Sequence, residues 1–481
     1  MREYPTNRLW CVAIAVALVP SAEADDVTIG ERPAIEHHVD QADIDARRLR
    51  FDQIFSLGET LFTARFNSLD GEGRPASTGA GTSRQPGQPA FIRTSAPDSN
   101  ACAGCHNLPH VGGAGDFVAN VFVLAQTLDP VTFSVGPESS DERNTLGMNG
   151  SGAIELLARE MSAALIETRE RAKSLAAKTG SPTRLLLTAN GVRFGAVTVL
   201  PDGRVDPSEI VGVDWDLVVK PFHQKGAVVS LREFTNNAMN HHHGMQSVER
   251  FGAGTDPDQD GVTNELTVGD ITATTLYQAA LPIPVQRLPR QPERLAAVFE
   301  GRKVFNAVGC SSCHIPQMVL RSRIFTEPNP YNPVGNLRPA DVAAPYALDL
   351  TRDGPRPQLE PWGRDGAIVR AFTDLKRHDL CDADYDFFCN ERVPQGSLRG
   401  NAPATDFTIA APPRPTSQFL TRKLWDAGSS DPYGHRGDLT TMTEAINYHG
   451  GEARASRDAF FDLEQEQRDA VIEFLKSLQV L

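Results

Sequence analysis

Two strings, Cys102-Ala-Gly-Cys105-His106 and Cys310-Ser-Ser-Cys313-His314, decide how the rest of the chain is read. Each sets two thiols and an imidazole within about one turn of backbone. This is the smallest set that forms thioether bonds to both vinyl groups of a haem and binds its iron from the same side. At this chain's cysteine and histidine content a chance C-x-x-C-H has a probability of roughly a few in a thousand, and two are far rarer. A dithiol redox pair needs no histidine after the second cysteine and sits in a βαβ context that this chain lacks. A zinc site built from both strings would join ligands about two hundred residues apart, unlike the short spacings of zinc ribbons. The reading is therefore two covalently bound c-type haems, with His106 and His314 as proximal ligands.

The start of the chain agrees with that chemistry. Arg2 and Arg8 form a basic segment, residues 9–19 an apolar run of eleven, and Ala22-Glu23-Ala24 a small-residue cleavage site, so residues 1–24 read as an export signal. Eleven apolar residues are too few to span a bilayer; an uncleaved anchor is the alternative. The mature chain then begins near Asp25, in the periplasm or outside the cell, with no membrane span. Of seven cysteines, Cys11 leaves with the signal and four belong to the strings. Cys381 and Cys389 remain, and an oxidising compartment favours a disulfide between them over two buried thiols. The formal charge of -14 argues against nucleic acid and anionic membranes and suits a basic donor such as a small cationic cytochrome. A composition 40% hydrophobic and 22% charged is that of a globular protein.

The organisation reads as mainly α, with two cytochrome c-like haem domains, long loops and a small antiparallel β insertion in the first. Residues 47–66 have helical apolar spacing and are expected beside the first haem string. Residues 70–100 are rich in Gly, Pro and Ser and form a long loop. A β-branched run follows at 116–126, then a helix at 152–178. Residues 184–222 contain Asn190-Gly191 and Pro201-Asp202-Gly203 turns between apolar runs, the last at 211–219, and read as an antiparallel meander. Four prolines in residues 281–292 mark the boundary, giving domains 25–285 and 293–481. The second has helices expected at 293–308 and 463–478.

Further motifs carry a resemblance. Phe372-Thr-Asp-Leu-Lys-Arg-His-Asp-Leu380, Phe419-Leu-Thr-Arg-Lys-Leu-Trp425, Pro432-Tyr-Gly-His-Arg-Gly437 and Glu444-Ala-Ile-Asn-Tyr-His-Gly-Gly-Glu-Ala453 resemble the bacterial dihaem oxidoreductases of peroxidase type, relatives of dihaem cytochrome c peroxidase, MauG and the haem rubber oxygenases. Residues 99–106, 150–161, 221–226 and 231–244 are similar too. In those relatives the second haem takes a distal ligand from the segment after the PY-x-H-x-G string, and the resemblance puts His449 there, with Tyr448 and Met442 as alternatives. It implies a bis-histidine second haem suited to electron transfer and a second-shell or propionate role for His435. No closing histidine follows His106 at the family's spacing, so the resemblance assigns an open iron and the substrate reaction to the first haem. His223, Gln224, Glu233 and the run His241-His242-His243-Gly244-Met245 are candidates for its pocket wall. Taken by itself, the HHH run reads more readily as a solvated or locally hydrogen-bonded helix end than as a metal site. Gln224 stands where the peroxidases have the tryptophan that links their haems, and their acidic residue has no clean counterpart in Gly244-Met245-Gln246.

The function implied is an exported dihaem peroxidase-like enzyme that takes a small oxidant, peroxide or dioxygen, and electrons from an external donor such as a small cytochrome or cupredoxin. The alternatives are an oxygenase or maturation-type oxidase on the same haem pair, or an electron carrier with both irons six-coordinate. Separately, Asp256-Pro-Asp258-Gln-Asp260-Gly261 has the alternating oxygen ligands and bend glycine of a calcium loop. Its twelfth position is Thr267 instead of an acid, so an acidic Asx-type turn is the competing reading.

Overall fold

A 29-residue helix, Ser151–Thr179, organises the first half. Its N-terminal part, SGAIELLAR, is buried on every side, which an all-round run of small and apolar residues permits, whereas the later turns alternate with exposed charge. Gly150 precedes it at φ 72°, where an added Cβ would lie 2.4 Å from the Trp425 ring, so both conformation and space require glycine. Gly180, also left-handed, stops the helix by donating its N–H to the Ala176 carbonyl. The computed structural model describes residues 29–72, 99–116, 118–121, 141–258, 260–385, 389, 407–410 and 414–480. The expected export signal and most of the 70–100 loop lie outside the described residues.

After this helix the expected meander forms, from Thr183–Ala189, Val192–Val199 and Val205–Asp206 in antiparallel order. Asn190 and Gly191 both have positive φ at the hairpin turn, as a two-residue loop with the right twist requires. The run at 211–219, expected as a further strand, is irregular. Leu217 has φ 63°, and Asp214 and Asp216 turn inward to Lys220, so the segment is shaped by a buried ion cluster and not by a ladder. In the 116–126 run, Val118–Val121 pairs with Asp141–Asn144, and the residues beyond are not described.

Residues 47–66 yield a helix, Phe51–Thr63, which packs on Val268–Ala279. A Cβ on Gly58 would sit 2.2 Å from the Ala273 carbonyl oxygen, so this crossing depends on glycine. In the second half, helices Pro292–Ala307 and Gln465–Lys476 cross with similar intimacy at Gly301 and Ala470. Phe305, Phe460, Val471, Phe474 and Leu475 form the core between and around them. Helix exceeds strand overall. The expectation of a single β insertion needs correction, because small antiparallel pairs run through the second half as well. Met318–Leu320 pairs with Gly366–Val369, Ile324–Glu327 with Tyr346–Asp349, and Arg377–Asp379 with Gln418–Leu420. These strands are three or four residues long and lie amid Pro- and Gly-rich chain, too short for a period of two to show.

Pro33–Leu481 clusters as one compact unit. Its largest apolar core joins Ile154, Leu157 and Phe194 of the first half to Leu320, Phe325 and Trp425 of the second. The proline-rich segment at 281–292 contributes Val285–Gln286, which pairs with Leu478–Gln479 near the end of the chain.

Candidate haem sites and the cavity at the second

The second C-x-x-C-H string is presented by the end of a helix. Pro292–Ala307 stops at Val308, Gly309 turns the chain at φ 90°, and Cys310–Ser312 forms a 3-10 turn that delivers His314. The His314 ring is half-buried, with Nδ1 3.1 Å from the Phe372 carbonyl oxygen. Opposite stands Met442–Asn447, a short helix begun by a Thr441/Glu444 capping box, which places His449 just past its end. The His449 Nδ1 lies 2.8 Å from the Ala445 carbonyl oxygen. With both Nδ1 atoms committed as donors to main-chain carbonyls, both rings keep Nε2 as the lone-pair nitrogen, the usual arrangement behind a metal-ligating imidazole. Burial pushes His314 down to about 4, with His449 adding to it, and burial lowers His449 as well, so both rings are neutral at neutral pH.

The centroids of these two rings are 6.4 Å apart. Two metal–imidazole bonds of about 2 Å, plus about 1.1 Å from nitrogen to ring centre on each side, sum to roughly 6.2 Å. The pair is therefore spaced for one iron between them. A cavity of about 360 Å³ opens along this gap, within the range of roughly 300–1,000 Å³ usual for cofactor sites. Cys310, Cys313, His314 and His449 line it, with Phe305, Met442, Ile446 and Leu475 as apolar wall. Arg422, Lys423, Arg436 and Arg457 bring positive charge to its rim, and Arg457 Nη1 is buried with no hydrogen-bond partner. Thiols, paired imidazoles, apolar wall and cations for carboxylates together fit a c-type haem. Tyr448 lines the same cavity, and its ring stacks edge-on to Tyr385 at 5.5 Å.

One group here was not foreseen. His378 donates from Nε2 to Asp374 and from Nδ1 to Glu452, both at 2.8 Å, and lies beside Cys313. Burial works against its charged form, but Asp374, Cys313 and Glu452 outweigh it and raise the ring to about 10. A histidine held above its ordinary 6.5 stabilises the fold fully below about pH 6.5, and that contribution is lost as pH rises through about 10. The thermal midpoint of the wild type is thus expected to fall about 2–4 °C further than that of His378→Gln between about pH 7 and about pH 10.5. Parallel pH profiles for the two proteins would show that the ring is not held as an imidazolium.

The first string forms a four-residue helix, Cys102–Cys105, with the His106 N–H donating to the Cys102 carbonyl. The chain after it is tightly folded, for a Cβ on Gly115 would lie 1.8 Å from the Cys105 carbonyl oxygen. Phe62, from the helix expected near this string, has its ring 6.3 Å from His106. His106 is pushed down to about 4 by burial first and His242 second. Its Nδ1 is buried, and the neighbouring Gly113 and Leu146 main chain gives it no hydrogen bond of good geometry. Cys102 lies 3.4 Å from His243 Nε2, and burial together with Cys105 pushes its thiol up to about 12.

The structure brings several of the sequence-derived candidates together and separates others. His223 and Gln224, expected in the pocket wall of the first haem, line this same cavity of the second string together with Met148, Phe222 and Phe234, and Cys102, Cys105 and His106 are not among its lining residues. His435 Nδ1 donates to Gln224 Oε1 at 2.7 Å, and Gln224 Nε2 donates to the Gly434 carbonyl at 3.2 Å, so the two halves are tied at this point. Glu233 is not among the lining residues. It accepts the Val229 N–H at 2.8 Å and receives the Ser230 cap, a helix-start role. The HHH run closes helix Leu231–His243 before Gly244, with His241 and His243 buried. Asp256, Asp258 and Asp260 converge, with ligand oxygens all within 4.8 Å of one another. Cys381 and Cys389 are joined as a disulfide.

No curated protein matches the chain. Among solved structures, the hydrazine synthase of Kuenenia stuttgartiensis, determined under xenon pressure, is similar at 15% identity and a TM-score of 0.27, over 60% of this chain and 78% of that one. Residues 415–478, the stretch that contains His435 and His449, match the family described as "Di-haem oxidoreductase, putative peroxidase", which gives this part of the chain a general oxidoreductase character.

Proposed function

We propose that the chain is an exported dihaem c-type oxidoreductase of peroxidase-like kind, taking the oxidant at the first C-x-x-C-H site and electrons from an external donor at the second. The observation that carries this reading is the His314–His449 pair, 6.4 Å apart beside Cys310 and Cys313 and fixed by two main-chain carbonyls. When bound, haem supplies one-electron chemistry and, where an axial position stays open, a place for peroxide or dioxygen. The chain's own residues do the rest. Cys102 and Cys105, like Cys310 and Cys313, anchor the ring covalently. His106 and His314 hold the iron from one side, and His449 closes the other side of the second site. Arg436 and Arg457 face the carboxylates that a haem would bring. His378 keeps a proton next to Cys313, and the Gln224–His435 bond ties the first half of the chain to the wall of the second site.

A periplasmic or secreted location goes with this reading, as does a small cytochrome or cupredoxin as donor to a chain of charge -14. No helix among the described residues is long and apolar enough to cross a membrane. Expression with a working cytochrome c assembly system is expected to yield mature polypeptide heavier by two haem groups, and Cys310→Ser/Cys313→Ser protein heavier by one. A bare polypeptide mass under those conditions would sink the proposal. Turnover of peroxide with reduced cytochrome c, set against oxygen uptake with a polyisoprenoid, separates the peroxidase from an oxygenase built on the same pair.

A further inference from the structure

We propose that the loop at residues 256–265 is a calcium site, with the carboxylates of Asp256, Asp258, Asp260 and Glu265 as its side-chain ligands. This inference stands apart from the haem reading. Three carboxylates in an exposed loop are common without an ion, and the twelfth position of a standard calcium loop is here Thr267, which is committed elsewhere. Thr267 caps the following helix, its hydroxyl accepting the Asp270 N–H at 3.0 Å.

The missing acid is supplied two residues earlier. Glu265 is 3% exposed, and among the described residues no basic side chain pairs with it or with the three aspartates. One of its oxygens accepts the Gln246 N–H at 2.6 Å, and the other has no hydrogen-bond partner. Burial, only partly offset by that N–H, pushes its carboxyl up, and the charges of Asp258, Asp260 and Asp256 add to this, so it lies within electrostatic reach of the three converging aspartates. Asp258 Oδ1 and Asp260 Oδ2 are likewise buried without a partner. Buried carboxylate oxygens left without donors or cations are costly unless an ion completes them.

The donor chemistry selects the ion. All four side chains offer oxygen and none offers nitrogen or sulfur, which suits a hard cation. Three converging carboxylates with a fourth acid close by suit calcium better than magnesium, which keeps several waters and takes one or two carboxylates. Gly261, at φ 93°, makes the bend that the loop needs. The site also has a structural reach. Glu265 holds Gln246, and Leu266 accepts the Val248 N–H at 2.9 Å, so an ion here fastens the chain that leaves the His241–His243 turn beside Cys102.

The test uses full-length holoprotein, metal-analysed as purified and then titrated with CaCl2 calorimetrically after chelator treatment. One calcium per chain is expected, retained or taken up, with a thermal midpoint at least about 3 °C higher in millimolar CaCl2 than in the same MgCl2. Asp258→Asn and Glu265→Gln are each expected to weaken calcium binding at least about tenfold. Glu265→Gln should remain folded without calcium, with a midpoint no lower than the wild type, because it removes an uncompensated buried acid of the same shape. Absence of calcium both as purified and on titration, an equal response to magnesium, or wild-type affinity in a folded Glu265→Gln protein would each overturn the proposal.

Discussion

A His449→Ala holoprotein shows, as the expected result, a new high-spin ferric signal from one of its two haems and at least about tenfold slower turnover with reduced cytochrome c and peroxide. The expectation follows from how the residue is held. His449 is half-buried, its pKa lowered by desolvation, and hydrogen-bonded through Nδ1 to the Ala445 carbonyl, which leaves Nε2 as its lone-pair nitrogen, with the ring 6.4 Å from that of His314. Removing it leaves a one-sided ligand set at Cys310–His314, because His378 and His435, which line the same cavity, are engaged by Asp374 and Glu452 and by Gln224. Tyr448 and Met442 line the same cavity and serve as controls. Tyr448→Phe and Met442→Leu should leave the second haem low-spin, since Met442 belongs to the apolar core around Phe474. If His449→Ala keeps the wild-type ferric spectrum while Tyr448→Phe changes it, the axial ligand has been assigned to the wrong residue.

The parts of this molecule that could be read from sequence are those whose signal is contiguous. Helices Ser151–Thr179, Pro292–Ala307 and Gln465–Lys476 each run through several turns, long enough for the 3.6-residue period to stand out. The hairpin at Asn190-Gly191 was legible because both residues tolerate positive φ. The strands between residues 318 and 420 were not, because each is three or four residues, too short for alternation to show, and apart from the Glu360–Trp362 and Gly366–Val369 hairpin they pair with segments distant in the chain. Residues 211–219 misled for another reason. Their apolar run looks like a strand, but Asp214 and Asp216 are inward, and the basic partners that allow this stand as far away as Arg414.

The same contrast runs through the sites. The thiols and proximal imidazoles sit within five residues, whereas the His378 environment is assembled from Asp374 and from Glu452, 74 residues away. His378 was visible only as one letter of a family-like string, with no local hint of charge on both ring nitrogens. Glu265 was passed over because the standard loop places its acid two residues later, and only the fold shows Thr267 engaged in a helix cap. Glu233, a candidate for the pocket wall of the first haem, accepts the Val229 N–H at the start of its own helix, a local role that no spacing in the sequence announces.

The largest loss of stability is expected from Asp214→Asn. Asp214 is wholly buried, and its carboxylate receives Lys220 at 2.5 Å, Arg377 at 2.9 Å and Arg414 at 2.6 Å. Burial alone would raise its pKa, but Arg414, Lys220 and Arg377 together hold it well below the ordinary carboxylate range. A depressed acid contributes stability that is present above about pH 4 and lost only as pH falls through its folded value, so this group adds no pH dependence between about pH 5 and pH 9. The amide variant leaves Arg377 and Arg414 as buried cations without their acid, which typically costs about 3–5 kcal/mol. A fall of about 5 °C or more in the thermal midpoint is expected. Replacing Asp214, Arg377 and Arg414 together by Leu, Met and Met should recover much of that loss, because the penalty lies in the unpaired charge more than in the missing pair. A midpoint within about 1 °C of wild type for Asp214→Asn would mean that water reaches the cluster. The position matters beyond stability, since Asp214 joins the segment that carries His223 and Gln224 to Arg377, the neighbour of His378, so loosening it should also loosen the Gln224–His435 bond in the wall of the second site.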